Sequence, residues 1–158
     1  MVPDFKRNKM EKYFIGLDLG TNGGVVVLDN QGLVVDVWKN PDNVQEWILR
    51  FEKYKDSNCF CVTERVHSQP HHGGKANFTF GKNVGISLTI LEVCKIPFQE
   101  VSPAVWMKGF MMKKEKGESG TSWKNRLKNK AQQLYPKEKV TLWNADAFLI
   151  ATYCRRSF

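Results

Sequence analysis

An acidic side chain lies inside a short apolar segment near the start of the chain, and this feature constrains the fold more than any other. The segment reads Tyr13-Phe-Ile-Gly-Leu-Asp18-Leu-Gly20. An apolar run of this length, with lysines before it and Gly and Asn after it, is typical of a buried parallel strand. Burying an ionised carboxylate without a partner costs several kcal/mol, so the fold must provide Asp18 with a compensating charge or with water.

The remaining sequence alternates strand and helix signals, which predicts a single α/β domain over residues 1–158. Beyond the first strand, strands are predicted at Val25–Asp29, at Leu33–Trp38, over Cys59–Thr63 with Glu64 at its end, and over Ile96–Val101. Helices are predicted from a cap at Asp42 to near Tyr54, over Phe78–Val93, for a short stretch from Pro103, from a cap at Thr121 or Ser122 to Leu134, and, as the last element, from a cap at Thr141 or Asn144. A mobile loop is predicted over Lys108–Gly120. This order predicts a five-stranded mixed sheet, three antiparallel strands followed by two parallel ones, flanked by helices. Gly81 and Gly85 should allow the helix predicted over Phe78–Val93 to pack closely on the sheet.

The ends and the cysteines of the chain bear on its location. No apolar run reaches the roughly 18 to 20 residues that a membrane span needs, and the polar, basic start lacks the apolar core of a secretion signal. Residues 1–12 are predicted to form a flexible arm. The four cysteines show no CxxC pair, which is typical of reduced, buried thiols. We therefore expect a cytoplasmic protein without membrane segments.

Positive charge is concentrated in one part of the chain. The formal net charge is +8, and the stretch from Trp106 to Lys139 alone holds ten Lys/Arg and three Glu. A basic block of this size favours a polyanionic partner, most often nucleic acid. A solvated surface kept soluble by its lysines explains the same composition. The composition leaves both interpretations open.

Three acidic residues from distant segments can meet in the predicted sheet. Asp18 lies at the first strand, Glu64 ends the fourth strand, and Asp146 lies in the first turn of the last helix. The first and fourth strands are neighbours in this topology, and the last helix packs across their ends. Clusters of oxygen ligands bind Mg²⁺ or Mn²⁺, and such ions support phosphodiester hydrolysis. Each acid also has a structural explanation, since Asp146 suits the helix dipole and Glu64 could end its strand in solvent.

Two further groups of residues have competing interpretations. His67, His71 and His72 share one loop and could suggest zinc, but Pro70 prevents a shared helical face and no cysteine is near in sequence, which favours an ordinary loop. Trp106, with Phe110, Met111 and Met112 close behind it among lysines, could contact DNA or a partner subunit. A buried helix edge explains these apolar residues too.

Six segments, in order, carry a resemblance to a known family. They are Phe14-Ile-Gly-Leu-Asp18-Leu-Gly, Val62-Thr-Glu64-Arg-Val, Phe80-Gly-Lys-Asn-Val-Gly85, Val101-Ser-Pro103-Ala-Val-Trp106 with Lys108, Lys124 seven residues before Ala131-Gln-Gln-Leu-Tyr-Pro136, and Ala145-Asp146-Ala-Phe-Leu-Ile-Ala151. Together they resemble the RuvC-type Holliday-junction resolvases of the RNase H-like superfamily, and especially the phage and poxvirus branch.

The resemblance implies an RNase H-like fold and a homodimer that cuts opposed strands of a DNA four-way junction, or other branched DNA such as forks, using Mg²⁺, for which Mn²⁺ could substitute. Asp18, Glu64 and Asp146 would be the metal ligands, and Lys124 would stabilise the charged phosphate. A phage-encoded protein would act in the cytoplasm of its host.

The same resemblance, with the basic block, suggests which residues contact DNA. These are Arg65, His67, Lys108, Lys113, Lys114, Lys116, Arg126 and Lys128. The sequence also departs from the family, which carries a fourth ligand one helical turn before the last acid. Trp143 stands there, so the neighbouring Asn144 is a weak candidate for a neutral ligand.

Other functions compete with this prediction. The segment from Asp18 to Gly24 also resembles the first phosphate loop of actin-like and sugar-kinase folds, which need a second domain and a second glycine loop. The chain could instead be a branched-DNA-binding protein without catalysis, an interpretation that the missing fourth ligand favours. A related RNase H-like nuclease that acts on other branched substrates or on RNA-containing substrates is a third alternative.

Overall fold

Five strands form one mixed sheet in the order β3-β2-β1-β4-β5 in the computed structural model, which describes residues 11–68 and 70–158. The strands are β1 (Lys12–Leu17), β2 (Gly24–Leu28), β3 (Val34–Lys39), β4 (Asn58–Glu64) and β5 (Phe98–Val101). β1, β2 and β3 pair antiparallel, while β4 pairs parallel with β1 and with β5. The predicted sheet is confirmed. The predicted arm lies largely outside the described residues, and Lys12 already belongs to β1.

Within the described residues, five helices cover the two faces of the sheet. They are α1 (Val44–Glu52), α2 (Gly74–Val93), α3 (Pro103–Lys108), α4 (Gly120–Leu134) and α5 (Ala145–Ser157). One hydrophobic cluster joins one face of the sheet to α3, α4 and α5, and a second joins the other face to α1 and α2. β1 contributes Phe14 to the first cluster and Ile15 and Leu17 to the second. Because β1 is covered on both faces, its sequence is continuously apolar rather than alternating.

A glycine in β1 determines how closely the last helix approaches the sheet. α5 packs on β1, β2 and β4. A Cβ atom added at Gly16 would lie 2.2 Å from the backbone nitrogen of Ala151 and 2.3 Å from the carbonyl oxygen of Ala147. The backbones of β1 and α5 are therefore in direct contact, which only glycine on the strand and small residues on the helix allow. This contact brings the first turn of α5 to the end of β1.

Two of three predicted helix caps are displaced by one to three residues, and the third is confirmed. Asn43, not Asp42, caps α1, because its Oδ1 accepts a hydrogen bond from the Glu46 nitrogen at 2.8 Å. Ser119 caps α4, so that the predicted caps at Thr121 and Ser122 lie inside its first turn. Asn144 is the N-cap residue of α5 and was one of the two predicted caps, the other being Thr141.

The helix α2 differs most from its prediction. It begins at Gly74, four residues before the predicted start at Phe78. The expectation that Gly81 and Gly85 pack against the sheet is wrong, because a Cβ atom at either position would meet nothing within 4 Å. α2 packs instead through the opposite side, which includes Ser87, Ile90 and Leu91.

The connection from α3 to α4 is a loop, as predicted, and several of its residues contact the rest of the domain. Phe110 is buried in the cluster beneath α3. Arg126 of α4 donates a hydrogen bond to Glu118 Oε2 at 2.9 Å and another to the Lys113 carbonyl oxygen at 3.4 Å. These contacts hold both ends of the connection against the domain. All four cysteines are buried and unpaired, and no helix in the described ranges has the length and apolar character of a membrane span.

Candidate active site at the carboxyl ends of β1 and β4

Asp18 leaves the sheet directly after β1 and is enclosed by a tight turn. The Gly20 nitrogen donates a hydrogen bond to Asp18 Oδ1 at 3.0 Å, and the Asp18 nitrogen donates one to the Gly24 carbonyl at 3.0 Å. A Cβ atom at Gly23 would lie 2.8 Å from Asp18 Cγ and 2.3 Å from the Asp18 carbonyl oxygen. The glycines of this turn therefore allow the backbone to fold closely around one carboxylate.

Asn40, just after β3, holds the turn in place. Its Nδ2 donates hydrogen bonds to the carbonyl oxygens of Asp18 at 2.7 Å and Gly20 at 2.9 Å. Its backbone nitrogen donates a third, to the Gly23 carbonyl at 3.1 Å. This role was not predicted from the sequence, because an asparagine at the end of a strand that neighbours the turn is too common to be specific.

Glu64 is the last residue of β4 and lies beside Asp18. The parallel register pairs Leu17 with Thr63, so the two strands end together. The indole Nε1 of Trp106 donates a hydrogen bond to Glu64 Oε2 at 2.9 Å. Trp106 and Phe110 are buried, as the interpretation of a buried helix edge requires, but Met111 is 92% exposed. The contact of the Trp106 indole with an acidic residue was not predicted from the sequence.

Asp146 lies in the first turn of α5 and is 7% exposed. The Lys124 ammonium of α4 donates a hydrogen bond to Asp146 Oδ2 at 2.5 Å. The other oxygen, Oδ1, is buried and has no hydrogen-bond partner among the described residues. A buried carboxylate oxygen without a partner is costly, and it marks a place where a ligand, a water or an ion would be favourable.

The ionisable groups of this site affect one another. Burial raises the pKa of Asp18, and the negative charge of Asp146 raises it further. Burial also raises the pKa of Glu64 to about 7, with smaller contributions from Asp18 and Asp146, although the Trp106 hydrogen bond opposes the shift. Burial lowers the pKa of Lys124, but the three acids outweigh it and leave that pKa raised. The structure thus places the four side chains close enough to interact, while their catalytic roles remain predictions.

The donor chemistry of the site fits a hard cation, although the side chains do not form a ready-made metal site. Within residues 11–68 and 70–158, no group of three or more His, Cys, Asp or Glu side chains is arranged so that it could hold a metal ion. Lys124 supplies the positive charge next to Asp146 in this arrangement. Three carboxylates, one with an unpartnered buried oxygen, are nevertheless the ligands that Mg²⁺ prefers.

The two residues before α5 have structural contacts of their own. Asn144 is buried; its Oδ1 accepts a hydrogen bond from the Thr141 nitrogen at 2.7 Å, and its Nδ2 donates one to the Lys139 carbonyl at 3.1 Å. This side chain braces the loop before Asp146. The ring of Trp143 lies against β2, where a Cβ atom at Gly24 would be 2.6 Å from it. Trp143 thus packs on the sheet at the position where the resemblance led us to look for a fourth ligand.

The predicted DNA-contacting residues differ in their exposure to solvent and in the contacts that they already make. Lys108, Lys113, Lys114, Lys116, Arg65 and His67 are exposed, and Lys128 is half-buried. Arg126 is already engaged, since its guanidinium pairs with Glu118 at 2.9 Å and lies over the Trp123 ring. Its observed contacts stabilise the α3–α4 connection. His67, His71 and His72 all lie exposed between β4 and α2.

The strand order, the strand directions and the position of the last helix define the RNase H-like fold. Two solved structures share it over almost the whole chain. A structure of Thermus thermophilus RuvC in complex with a Holliday junction substrate has a TM-score of 0.55 and 13% sequence identity, covering 91% of each chain. A second structure, of Thermus thermophilus RuvC, has a TM-score of 0.51 and 13% identity, covering 91% of this chain and 92% of that one. No protein-family model and no curated protein matches the sequence.

Proposed function

We propose that this chain is a Mg²⁺-dependent, structure-specific endodeoxyribonuclease that cuts Holliday junctions or other branched DNA. The observation that carries the proposal is the meeting of Asp18, Glu64, Asp146 and Lys124 at one end of the sheet. Likeness to a RuvC structure that contains a Holliday junction supports the substrate class. The specific kinship with the phage and poxvirus branch, and the assignment of residues 1–158 to one nuclease domain, are parts of the same proposal.

Asp18, Glu64 and Asp146 would hold the metal. When bound, divalent cations activate a water and stabilise the leaving oxygen in phosphodiester hydrolysis. Asp146 Oδ1 is suited to coordination because it is buried and has no hydrogen-bond partner in the described ranges. We leave Asn144 out of the proposed ligands, since both ends of its amide are already used in bracing the loop before α5.

The chain's own residues prepare the site before any ligand binds. The Gly20 nitrogen and the Trp106 indole each direct one carboxylate oxygen, of Asp18 and Glu64 respectively. Lys124 holds Asp146 while its side chain remains 52% exposed. An exposed ammonium beside a carboxylate can turn toward a phosphate, where it would stabilise the negative charge that develops during attack.

Two surfaces are proposed to bind the partners. Lys108, Lys113, Lys114 and Lys116 are exposed at the end of α3 and in the loop that leads to α4, and they would neutralise DNA phosphates. The outer face of α2 would form a homodimer contact, because Phe78 is 77% exposed there and Gly81 leaves open space beside it. Small residues on a helix let a second backbone approach closely.

The test compares binding with cleavage in matched variants. Wild type, Asp18→Asn and Lys124→Gln are incubated with four-way, three-way and linear DNA in Mg²⁺. We expect Asp18→Asn to bind the four-way junction as tightly as wild type and to leave it uncut. Lys124→Gln should slow the cut far more than it weakens binding. Unchanged cleavage by Asp18→Asn would remove the acidic group from the mechanism.

A second candidate is a branched-DNA-binding protein without catalysis. The observations that favour it are the lack of a ready-made metal site in the described part of the chain and the presence of Trp143 where the family has a ligand. This alternative predicts tight junction binding by the wild type with no cleavage in either Mg²⁺ or Mn²⁺. No comparable observation favours the ATP-binding alternative.

A further inference from the structure

We propose that Met111 is an apolar wedge that contacts base faces at the branch point of a DNA junction and thereby makes the protein bind branched DNA in preference to linear duplex. The inference rests on the proposed function and adds the residue that recognises the branch. Three observations carry it: the exposure of Met111, the conformation of its backbone, and the lysines on both sides of it.

Met111 is exposed between two residues that are anchored in the domain. It is 92% exposed, the largest exposed fraction among the large apolar side chains of the described residues. Phe110 before it is 4% exposed, and Met112 after it is packed against the same hydrophobic cluster. Because both neighbours are held by the core, the exposure of Met111 does not come from a segment without contacts.

The backbone at Met111 is fixed by two hydrogen bonds. The Met111 nitrogen donates to the Lys108 carbonyl at 3.0 Å, and the Met112 nitrogen donates to the Met107 carbonyl at 3.1 Å. This pair of bonds is the Schellman motif that ends many helices. The fold therefore presents the Met111 side chain at a defined place at the end of α3.

Methionine is an unfavourable residue at this place. Met111 has a φ of 55°, in the left-handed region where glycine is usual and a Cβ atom is strained. Its exposure means that no burial offsets the strain. Single exposed apolar side chains are common, but one that also strains the backbone is a local conflict of the kind that concentrates at functional sites.

The charges around Met111 favour DNA as the occupant. Between residues 108 and 116 the chain has four lysines and one glutamate, and all four lysines are exposed. Lysines contact phosphates, while an apolar side chain contacts bases. DNA offers both chemistries together, and apolar side chains, methionine among them, are inserted between base steps by other DNA-binding proteins.

The wedge distinguishes a branch from a linear duplex through the cost of unstacking. In a continuous duplex, a side chain that enters between two base pairs must unstack them. At a branch point the strands pass from one arm to another, so adjacent arms can separate without distortion of a continuous helix. The energetic cost of admitting Met111 is therefore lower at the branch.

The wedge lies within reach of the acidic site. Met111 follows Trp106 by five residues, and the Trp106 indole contacts Glu64. Five residues span at most about 18 Å, which corresponds to about five base steps at 3.4 Å each. A branch at Met111 thus brings nearby phosphates to the acids.

The test measures DNA affinity by fluorescence anisotropy, with the full chain in EDTA so that no metal-dependent cut occurs. Wild type, Met111→Ala and Met111→Leu are titrated with a four-way junction and with a linear duplex at one salt concentration. We expect Met111→Ala to bind the junction roughly tenfold more weakly, the effect of losing one partly buried apolar side chain, and the linear duplex as wild type does. Met111→Leu should keep the preference. Equal weakening with both DNAs, or no change with either, would overturn the proposal.

A second variant separates recognition from folding. Met111→Gly removes the wedge and the strain together, so its urea midpoint should rise while its preference for the junction is lost. A lower midpoint would mean that the methionine serves the packing of the domain, against the proposal. A change of oligomeric state in Met111→Ala, measured by sedimentation, would assign the side chain to a contact between copies and would also contradict the proposal.

The matched control is Leu49→Ala. Leu49 is 65% exposed on α1, which covers the other face of the sheet, and its loss should leave both affinities unchanged. A wild type that binds four-way and linear DNA equally would defeat the proposed substrate class, and this inference with it. A wild type that prefers the junction, with the same preference in Met111→Ala, defeats the inference alone.

Discussion

The carboxyl of Glu64 shows at the level of one residue how burial and neighbouring charge oppose ionisation. Burial raises its pKa to about 7, and Asp18 and Asp146 add to the shift. The Trp106 hydrogen bond favours the charged form but does not compensate for the burial. In the metal-free protein, Glu64 therefore titrates close to neutral pH, and a positive charge delivered to the site would reverse the balance.

This shift predicts a pH-dependent stability. Between about pH 4.5 and 7 the unfolded chain has released the Glu64 proton while the folded chain still holds it, so the free energy of unfolding falls as pH rises. The loss amounts to at most roughly 3 to 4 kcal/mol. Glu64→Gln cannot titrate, so in EDTA we expect it to be more stable than wild type at pH 8 but not at pH 4.5. Urea unfolding at the two pH values measures the difference.

The control for this prediction is Glu92→Gln, which changes an exposed carboxyl on α2. It should follow the wild-type pH profile. If Glu64→Gln differed from wild type by the same amount at both pH values, the effect would come from packing and not from ionisation.

At the level of an element, the end of α2 has a well-defined capping motif with an unfavourable residue in it. The Lys95 nitrogen donates to the Glu92 carbonyl at 2.9 Å and the Ile96 nitrogen to the Leu91 carbonyl at 2.8 Å, which is a Schellman motif. Lys95 has a φ of 55°, in the left-handed region. Glycine has no Cβ to strain there and is the usual residue at this position.

We therefore expect Lys95→Gly to stabilise the protein by about 0.5–1 kcal/mol, since it relieves left-handed strain at an exposed position. Chemical denaturation measures this change. The matched control is Lys82→Gly, inside the same helix, which should destabilise by about 1 kcal/mol because glycine is a poor helix former. A destabilising Lys95→Gly would mean that the lysine side chain makes a stabilising contact that outweighs the strain.

In the connection from α3 to α4, the predicted DNA contact Arg126 makes contacts within the protein that give it a structural role. Arg126 was predicted to contact DNA from its place in the basic block, but it pairs with Glu118 at 2.9 Å and lies over Trp123. Spacing along a chain does not reveal which acid folds back onto which arginine. Its interaction with DNA remains a prediction, and it would require Arg126 to leave these partners.

At the scale of the whole molecule, the salt dependence of DNA binding would distinguish a polyanion-binding surface from one whose lysines only keep the protein soluble. Each phosphate contact releases counterions and contributes about −0.9 to the slope of log affinity against log salt. Five contacts would give a slope of about −4.5 for junction binding. A flat response would mean that the lysines only solubilise the protein.

Variants at two places in the molecule test which lysines cause the salt dependence of junction binding. We expect the double variant Lys113→Gln and Lys114→Gln to reduce the magnitude of the slope by about two, as measured by fluorescence anisotropy over a range of salt. The control is Lys55→Gln. Lys55 follows α1, which covers the face of the sheet opposite α3 and α4, so this variant should leave the slope unchanged. Equal effects at both places would indicate non-specific attraction to the net charge.

The sequence by itself determined the architecture and the acids. Apolar periodicity, turn residues and the order of strands and helices are local signals, and they predicted the five-stranded sheet with Asp18 and Glu64 at the ends of neighbouring strands. The cap of α1 and the start of α2 were displaced because several nearby residues could cap each helix.

The tertiary structure alone decided what surrounds the acids. Trp106 reaches Glu64, Asn40 holds the turn at Asp18, and Lys124 pairs with Asp146, each across a long separation in the chain. The approach of α5 to Gly16, which brings Asp146 to the site, depends on backbone contact between two distant elements. Such contacts are set by how the layers pack against one another, and local periodicity does not show which residues of distant segments will meet.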